Sequence, residues 1–278
     1  MCLIALAWRA LPDYSLIVAA NRDEYFGRPA APAGFWDDHP NVLAGRDLEA
    51  GGTWLGITLD GRFAALTNYR NPSDRKTGAP SRGALVSDFL TGRSGPLEYL
   101  RDVERRATSY NGFSLLVGDS DSLCFTSNRG AGAPARVEAG IHGLSNHLLD
   151  TPWPKVEKAK ARFAERFKKT FDAASAFELL SDSERAQSGE LPSTGVSLEM
   201  EERLSAIRIL AVGGYGTRCS TTLCFGKDGR IEFHERSYRE DGSVSGTVSY
   251  RLTLSRERGR APSRRAGSRP RRTPLPTR

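Results

Sequence analysis

The chain opens on a nearly unbroken apolar run, Cys2-Leu3-Ile4-Ala5-Leu6-Ala7-Trp8, and returns to a second one at Ser15-Leu16-Ile17-Val18-Ala19-Ala20. Between them, Leu11-Pro12-Asp13-Tyr14 is turn chemistry, so the pattern predicts two strands of a hairpin. Strands that are apolar at nearly every position suit a sheet covered on both faces. The second run stops at Asn21-Arg22-Asp23-Glu24, four polar or charged residues at the end of a strand expected to be buried. Site residues tend to sit at such a break.

Farther along, residues 29–40 read as a loop that carries two aromatics of buried type, Phe35 and Trp36. Residues 51–57 and 62–67 form a second hairpin across Asp60-Gly61, a strong turn dipeptide, and end at Asn68-Tyr69-Arg70. Helical spacing follows in residues 82–92, through Leu85, Phe89 and Leu90, and in 95–107, through Leu97, Leu100 and Val103. Residues 113–117 and 122–126 form another hairpin, and 140–146 a short strand that stops at Asn146. Residues 154–171 form a basic amphipathic helix, with Trp153, Val156, Phe163 and Phe167 facing inward and a solvated lysine face. Residues 175–208 read as short helices and loops. Strands return at 220–225, at 230–235 after Asp228-Gly229, and at 247–253. Paired strands at both ends, helices between them and no βαβ alternation argue for an α+β fold with antiparallel sheets. Covering all-apolar antiparallel strands on both faces calls for two stacked sheets between helical layers, in a single domain over residues 1–254.

Charge alters this picture only at one end. The net charge of +7 arises in residues 255–278, which hold nine arginines against the single acid Glu257, so the remainder is close to neutral. This tail is rich in Pro, Gly and Ser and is expected to be a disordered basic arm. Its attraction would be nonspecific, toward nucleic acid or anionic lipid. No aromatics are interleaved for base stacking, which argues against a specific nucleic-acid role. No run approaches the length of a membrane span and no secretory leader is recognisable, so a cytoplasmic protein is expected. The four cysteines, Cys2, Cys124, Cys219 and Cys224, form no CxxC pair. Neither a zinc site nor a disulfide framework is indicated, and a reducing compartment fits. Cys124, Cys219 and Cys224 read as buried structural thiols, with Cys219, beside Arg218, the more reactive of them.

The position of Cys2 carries the candidate chemistry. Removal of Met1, usual before a small residue, would leave one residue with both a thiol nucleophile and a free α-amine. That amine has an ordinary pKa of about 7.7–8, so it can serve as the residue's own general base. Around it stand polar clusters at strand ends or turns: residues 21–24, Asn68, Asn146, and Thr217-Arg218-Cys219-Ser220-Thr221. An arginine and an aspartate could lower the thiol pKa and hold the amine. Asparagines can donate to an oxyanion. Arg218 could steady developing negative charge or grip an anionic group.

These residues, in this order, resemble the NRDE family, also called the Transport and Golgi organisation 2 family. The likeness runs from Met1-Cys2 and Asn21-Arg22-Asp23-Glu24 through Gly51-Gly52-Thr53-Trp54-Leu55-Gly56 and Leu66-Thr67-Asn68-Tyr69-Arg70. It continues through Gly143-Leu144-Ser145-Asn146 and Tyr215-Gly216-Thr217-Arg218, and covers residues 1 to about 250. The family is in turn distantly similar to cysteine N-terminal-nucleophile hydrolases such as choloylglycine hydrolases and penicillin V acylases. The resemblance implies a four-layer αββα sandwich of two mainly antiparallel sheets and cleavage of an amide or thioester. It places catalytic roles on Cys2, Arg22, Asp23, Asn68, Asn146 and Arg218, with Asn21, Glu24, Trp54 and Tyr69 as substrate contacts. In those hydrolases the arginine precedes the aspartate by three residues, whereas Arg22 adjoins Asp23. Neighbours on a strand face opposite ways, so both reach Cys2 only across a bulge or at a strand end.

No cofactor is expected for the hydrolase. The alternative is a non-catalytic carrier of haem, acyl-CoA or lipid in the same cleft, in keeping with the family's association with Golgi organisation and haem or lipid handling. The four histidines, His39, His142, His147 and His234, show no spacing that marks a ligand pair.

Overall fold

The structure is a computed structural model that describes residues 2–168 and 170–255; the arginine-rich tail, apart from Ser255, lies outside the described residues. The strands are β1 (Cys2–Leu11), β2 (Tyr14–Tyr25), β3 (Ala30–Phe35), β4 (Val42–Asp47), β5 (Leu55–Thr58), β6 (Phe63–Asn68), β7 (Phe113–Gly118), β8 (Leu123–Ser127), β9 (Ala135–Arg136), β10 (Gly140–Leu144), β11 (Tyr215–Gly226), β12 (Arg230–Tyr238) and β13 (Val244–Thr253). The helices are α1 (Gly83–Thr91), α2 (Pro96–Arg106), α3 (Pro154–Arg166), α4 (Ala173–Leu180) and α5 (Leu198–Leu204).

Two antiparallel sheets result. One has the order β10-β1-β2-β11-β12-β13 and the other runs β3 to β9 in sequence. The apolar residues of β1 divide by parity, as a pleated strand requires. Ile4, Leu6 and Trp8 enter a core between the sheets with Leu43, Ile57, Leu116 and Phe233. Leu3, Ala5 and Ala7 enter a second core under α3 and α4, with Val156, Ala159, Phe163 and Leu179. Helices α1 and α2 cover the far sheet through Leu85, Phe89, Leu100 and Val103. Three apolar layers between four structural layers make an α+β, αββα sandwich, and they explain why β1 and β2 tolerate so few polar residues.

Local chemistry sets the boundaries. Pro96 and Pro154 occupy first-turn positions of α2 and α3, where a missing N–H costs nothing. The Asp172 side chain caps α4 by accepting from the Ala174 and Ser175 amides. Gly61, at φ 89°, turns the β5–β6 hairpin in a conformation that side chains resist.

Several expectations need correction. The segment 29–40 is not simply a loop, because residues 30–35 form β3, an edge strand. A register irregularity lies between Ala31 and Gly34, around Pro32, as suits a proline in an edge strand. β4 and β9 were not foreseen. The polar tetrad does not end its strand: β2 continues to Tyr25, paired with β11 beyond the start of β1. Helix α3 is shorter than 154–171, ending at Arg166. Its lysine face is also not wholly solvated, since Lys155 is 2% exposed.

Candidate active site

Cys2 begins β1 and stands opposite Arg22 of β2. Residues directly opposite in an antiparallel pair share a face. Ile4 and Ala20, two positions along each strand, belong to the inter-sheet core, so Cys2 and Arg22 project to that side. Asp23 projects to the other face, together with Asn21. Because β1 starts at Cys2, Asp23 lies just past its end, and a strand end is one of the two arrangements that let adjacent residues reach one centre. The Cys2 carbonyl accepts a 2.9 Å hydrogen bond from Ser145 Oγ, at the end of β10. This fixes the front of β1 from its other flank.

A cavity of about 440 Å³ opens at this point, lined among others by Cys2, Arg22, Asp23, Glu24, Trp54, Asn68 and Arg82. Burial pushes the Cys2 thiol pKa up, and the Asp23 carboxylate pushes it the same way, while Arg22 opposes. A resting thiol, and hence a need for a base, follows. Asp23 is 2% exposed, and burial raises its pKa against the pull of Lys155 and a hydrogen bond from Thr217. Thr217 Oγ1 donates to Asp23 Oδ1 at 2.6 Å and itself accepts the Ile209 amide at 2.9 Å, so the carboxylate is held from β11.

The Arg22 guanidinium sits over the Trp54 ring, its carbon 4.1 Å from the ring centroid. The Trp54 ring in turn rests on Gly45, where a Cβ would meet ring carbons at 2.4 Å. Asn68 closes β6 at the cavity wall, and its side-chain amide makes no hydrogen bond among the described residues. Asn146 is fully buried behind it, in the left-handed region at φ 57°. Its Nδ2 donates to the Asn68 carbonyl at 2.9 Å, and its carbonyl accepts the Arg70 amide at 2.7 Å. Asn146 therefore holds the end of β6, and only Asn68 of the two asparagines lines the cavity.

Other expected residues fall elsewhere. Asn21 is committed to the fold: its Nδ2 donates to the Leu180 and Ile207 carbonyls at 2.9 and 2.8 Å, and its Oδ1 accepts from Ser220 Oγ at 2.6 Å. Both donors pin β2 to the helical layer. Tyr69 turns away to a 2.6 Å hydrogen bond with His147 Nε2. Arg218 sits where β11 shifts register between Thr217 and Cys219, and its Nη1 donates to the Tyr25 and Arg28 carbonyls at 2.7 and 2.8 Å. It lines a neighbouring cavity, not the one at Cys2. Cys219 is the reverse of reactive, since burial, and then Glu235, push its thiol pKa well up.

Sequence reasoning missed the polar cluster behind Asp23. Lys155, in the first turn of α3, is pushed down to about 8 by burial, with the positive charge of Arg70 adding and Asp23, Cys2 and Glu201 opposing. Its Nζ makes no hydrogen bond among the described residues. Arg70 pairs with Glu201 at 2.6 Å, both side chains nearly inaccessible, and its guanidinium lies 4.8 Å from the Trp153 ring centroid. One signal was present: Lys155 stands four residues before the inward-facing Ala159, on the same side of the helix.

The layers define an α+β protein built as an αββα sandwich, with a cysteine at the head of one strand of the β10-β1-β2-β11-β12-β13 sheet. A family model for Transport and Golgi organisation 2 matches residues 1–240. The chain belongs to that family. It is 38% identical over 261 residues to the Bos taurus Transport and Golgi organization protein 2 homolog, covering 85% of this chain and 93% of that one. It is 37% identical over 279 residues to the Homo sapiens homolog, covering 91% and 99%. Among solved structures it is similar to a Caenorhabditis elegans N-acylethanolamine-hydrolyzing acid amidase ortholog, at 12% identity and a TM-score of 0.47, over 80% of this chain and 92% of that one.

Proposed function

We propose that this chain, once Met1 is removed, is a cysteine N-terminal-nucleophile enzyme that hydrolyses an amide or thioester. The observation that carries the reading is the placement of Cys2: at the open end of a central strand, facing a polar cavity, with Asp23 just past the strand end and Arg22 alongside. In the first step the α-amine takes the thiol proton and sulfur adds to the substrate carbonyl carbon. Asn68, with an uncommitted side-chain amide, donates to the resulting oxyanion. Asp23 stabilises the ammonium, which returns its proton to the departing amine or thiol as the carbonyl re-forms. Water, deprotonated by the same amine, then releases the acyl group from Cys2. Arg22 offsets the charge of the thiolate, and Asn146 acts by positioning Asn68. Glu24 and Trp54 supply walls for the substrate.

Among the described residues, no helix is long and apolar enough to cross a membrane. A working thiol needs a reducing compartment, so the cytoplasm is the setting proposed. A carrier that uses the same cavity for an acyl thioester or lipid is the alternative. A haem there would have no histidine among the lining residues, leaving Cys2 as the thiolate ligand on hand. Intact-mass analysis should show a chain beginning at Cys2 that gains one acyl group when mixed with a small thioester, and Cys2→Ala should not gain it. Full retention of Met1 would sink the enzyme reading, because an acylated nitrogen cannot be the base. Unchanged ligand affinity with no turnover in either protein would favour the carrier.

A further inference from the structure

Beside the Cys2 cavity lies a second one, of about 370 Å³, lined by residues that include Trp54, Arg218, Glu235 and Gly246. The two share Arg22 and Trp54, so the stacked pair forms a common wall between them. From these contents we propose that the second chamber binds an anionic oxygen group, a carboxylate or phosphate, carried by the substrate whose carbonyl is presented to Cys2. This deepens the proposed hydrolase reading and rests on it.

The argument begins with Arg22. It is 7% exposed, and its guanidinium makes no hydrogen bond or ion pair among the described residues; the Trp54 ring covers one side of it, and Glu235 feels its charge from farther off. A charge that far out of water is costly unless an anion meets it. A guanidinium stacked on an aromatic plane keeps its edge free for two parallel bonds to such a group. Arg218 adds a second cation on the same chamber: only its Nη1 is committed, to the Tyr25 and Arg28 carbonyls. The one lining carboxylate, Glu235, is outnumbered by them. Glu235 Oε1 accepts the Ala33 amide at 2.7 Å and Oε2 accepts from Thr221 at 3.1 Å, and burial raises its pKa. Cys219, also on the wall, is held as a neutral thiol. Two cations therefore line the chamber against its single carboxylate, Glu235, whose two oxygens already accept from Ala33 and Thr221. The chamber's remaining walls, such as Ala31, Pro32, Tyr238 and Val248, would carry the chain that joins the anion to the scissile bond.

The test uses full-length Cys2→Ala protein and calorimetric titration with matched amides. N-hexanoylglycine methyl ester is neutral. N-hexanoylglycine carries a carboxylate on the amine side, and adipoylglycine methyl ester carries one on the acyl side. N-hexanoylphosphoethanolamine replaces the carboxylate by phosphate. At least one anionic amide should bind 10-fold or more tightly than the neutral one, and whether a carboxylate or the phosphate leads identifies the group. Gly246→Asp should erase that ratio, because a side chain at Gly246 meets no atom within 4 Å and would bring a competing carboxylate. Gly246→Ser should preserve it, and Arg22→Met should erase it independently. Equal affinities, no binding by any of the four, or a ratio that survives both Gly246→Asp and Arg22→Met would overturn the proposal. Turnover by the wild type without anion preference would overturn it while leaving the reaction standing. Anion preference without turnover would do the reverse.

Discussion

Lys155 provides a test of the buried cluster that does not depend on substrate. Its amino group is pushed from the ordinary 10.5 down to about 8, with burial the main cause. At about 1.36 kcal/mol per pKa unit, holding the ammonium in the folded chain costs on the order of 3 kcal/mol at neutral pH. The sign follows from proton counting. Below pH 8 both folded and unfolded chains bind the proton, so the whole cost is present. Between 8 and 10.5 the unfolded chain still binds it and the folded chain does not, so stability rises with pH. Above 10.5 the cost is gone. At pH 9.5 roughly 1 kcal/mol remains, so the residue alone should make the protein about 2 kcal/mol more stable there than at pH 7. Lys155→Met keeps the side chain's length and removes the charge. The attraction of Asp23 and Glu201 is already contained in the shift, so the gain at pH 7 should be about 3 kcal/mol, less whatever the thioether packs worse than the alkyl chain. Urea denaturation of both proteins at pH 7 and 9.5 measures it. A variant less stable than wild type at pH 7, or a gain of the same size at both pH values, would refute a charged, desolvated Lys155.

Three further expectations follow from neighbouring contacts. Glu201→Gln leaves Arg70 buried without its carboxylate and should cost about 3 kcal/mol in urea denaturation, with a loss under 1 kcal/mol counting against the pair's burial. Gly45→Ala should displace the Trp54 ring from Arg22, lower stability by about 1–3 kcal/mol and change tryptophan emission; an unaltered spectrum would mean the ring does not rest there. Removing residues 255–278 should abolish any retention on heparin or nucleic acid at low salt, and retention by the shortened chain would show that the sandwich itself carries a basic surface.

What the sequence revealed, and what it hid, divides along a physical line. Near-continuous apolar runs announced β1 and β2 as doubly covered strands, and that single property forces a layered sandwich, because each face needs its own core. Asp60-Gly61 and Asp228-Gly229 marked hairpins because their turn conformations are set by the dipeptide itself. By contrast, β3 carries Pro32 and Gly34 and pairs on one side only, so its strand state comes from β4 and not from its own residues. The site shows the same division. Cys2, Arg22, Asp23 and Asn68 were legible because position and strand ends bring them to one cavity. Arg218 lies at a register shift in β11, invisible in a linear chain, and lines the next chamber. Lys155 was assigned to solvent because a lysine on an amphipathic helix normally reaches water. Here its counter-charges arrive from Asp23 and Glu201, on two distant segments. A side chain whose environment is assembled from remote parts of the chain leaves no local periodicity to read. Arg218 suggested a grip on an anionic group in the sequence, but which chamber it serves, and that Arg22 shares that chamber, came only from the packed structure.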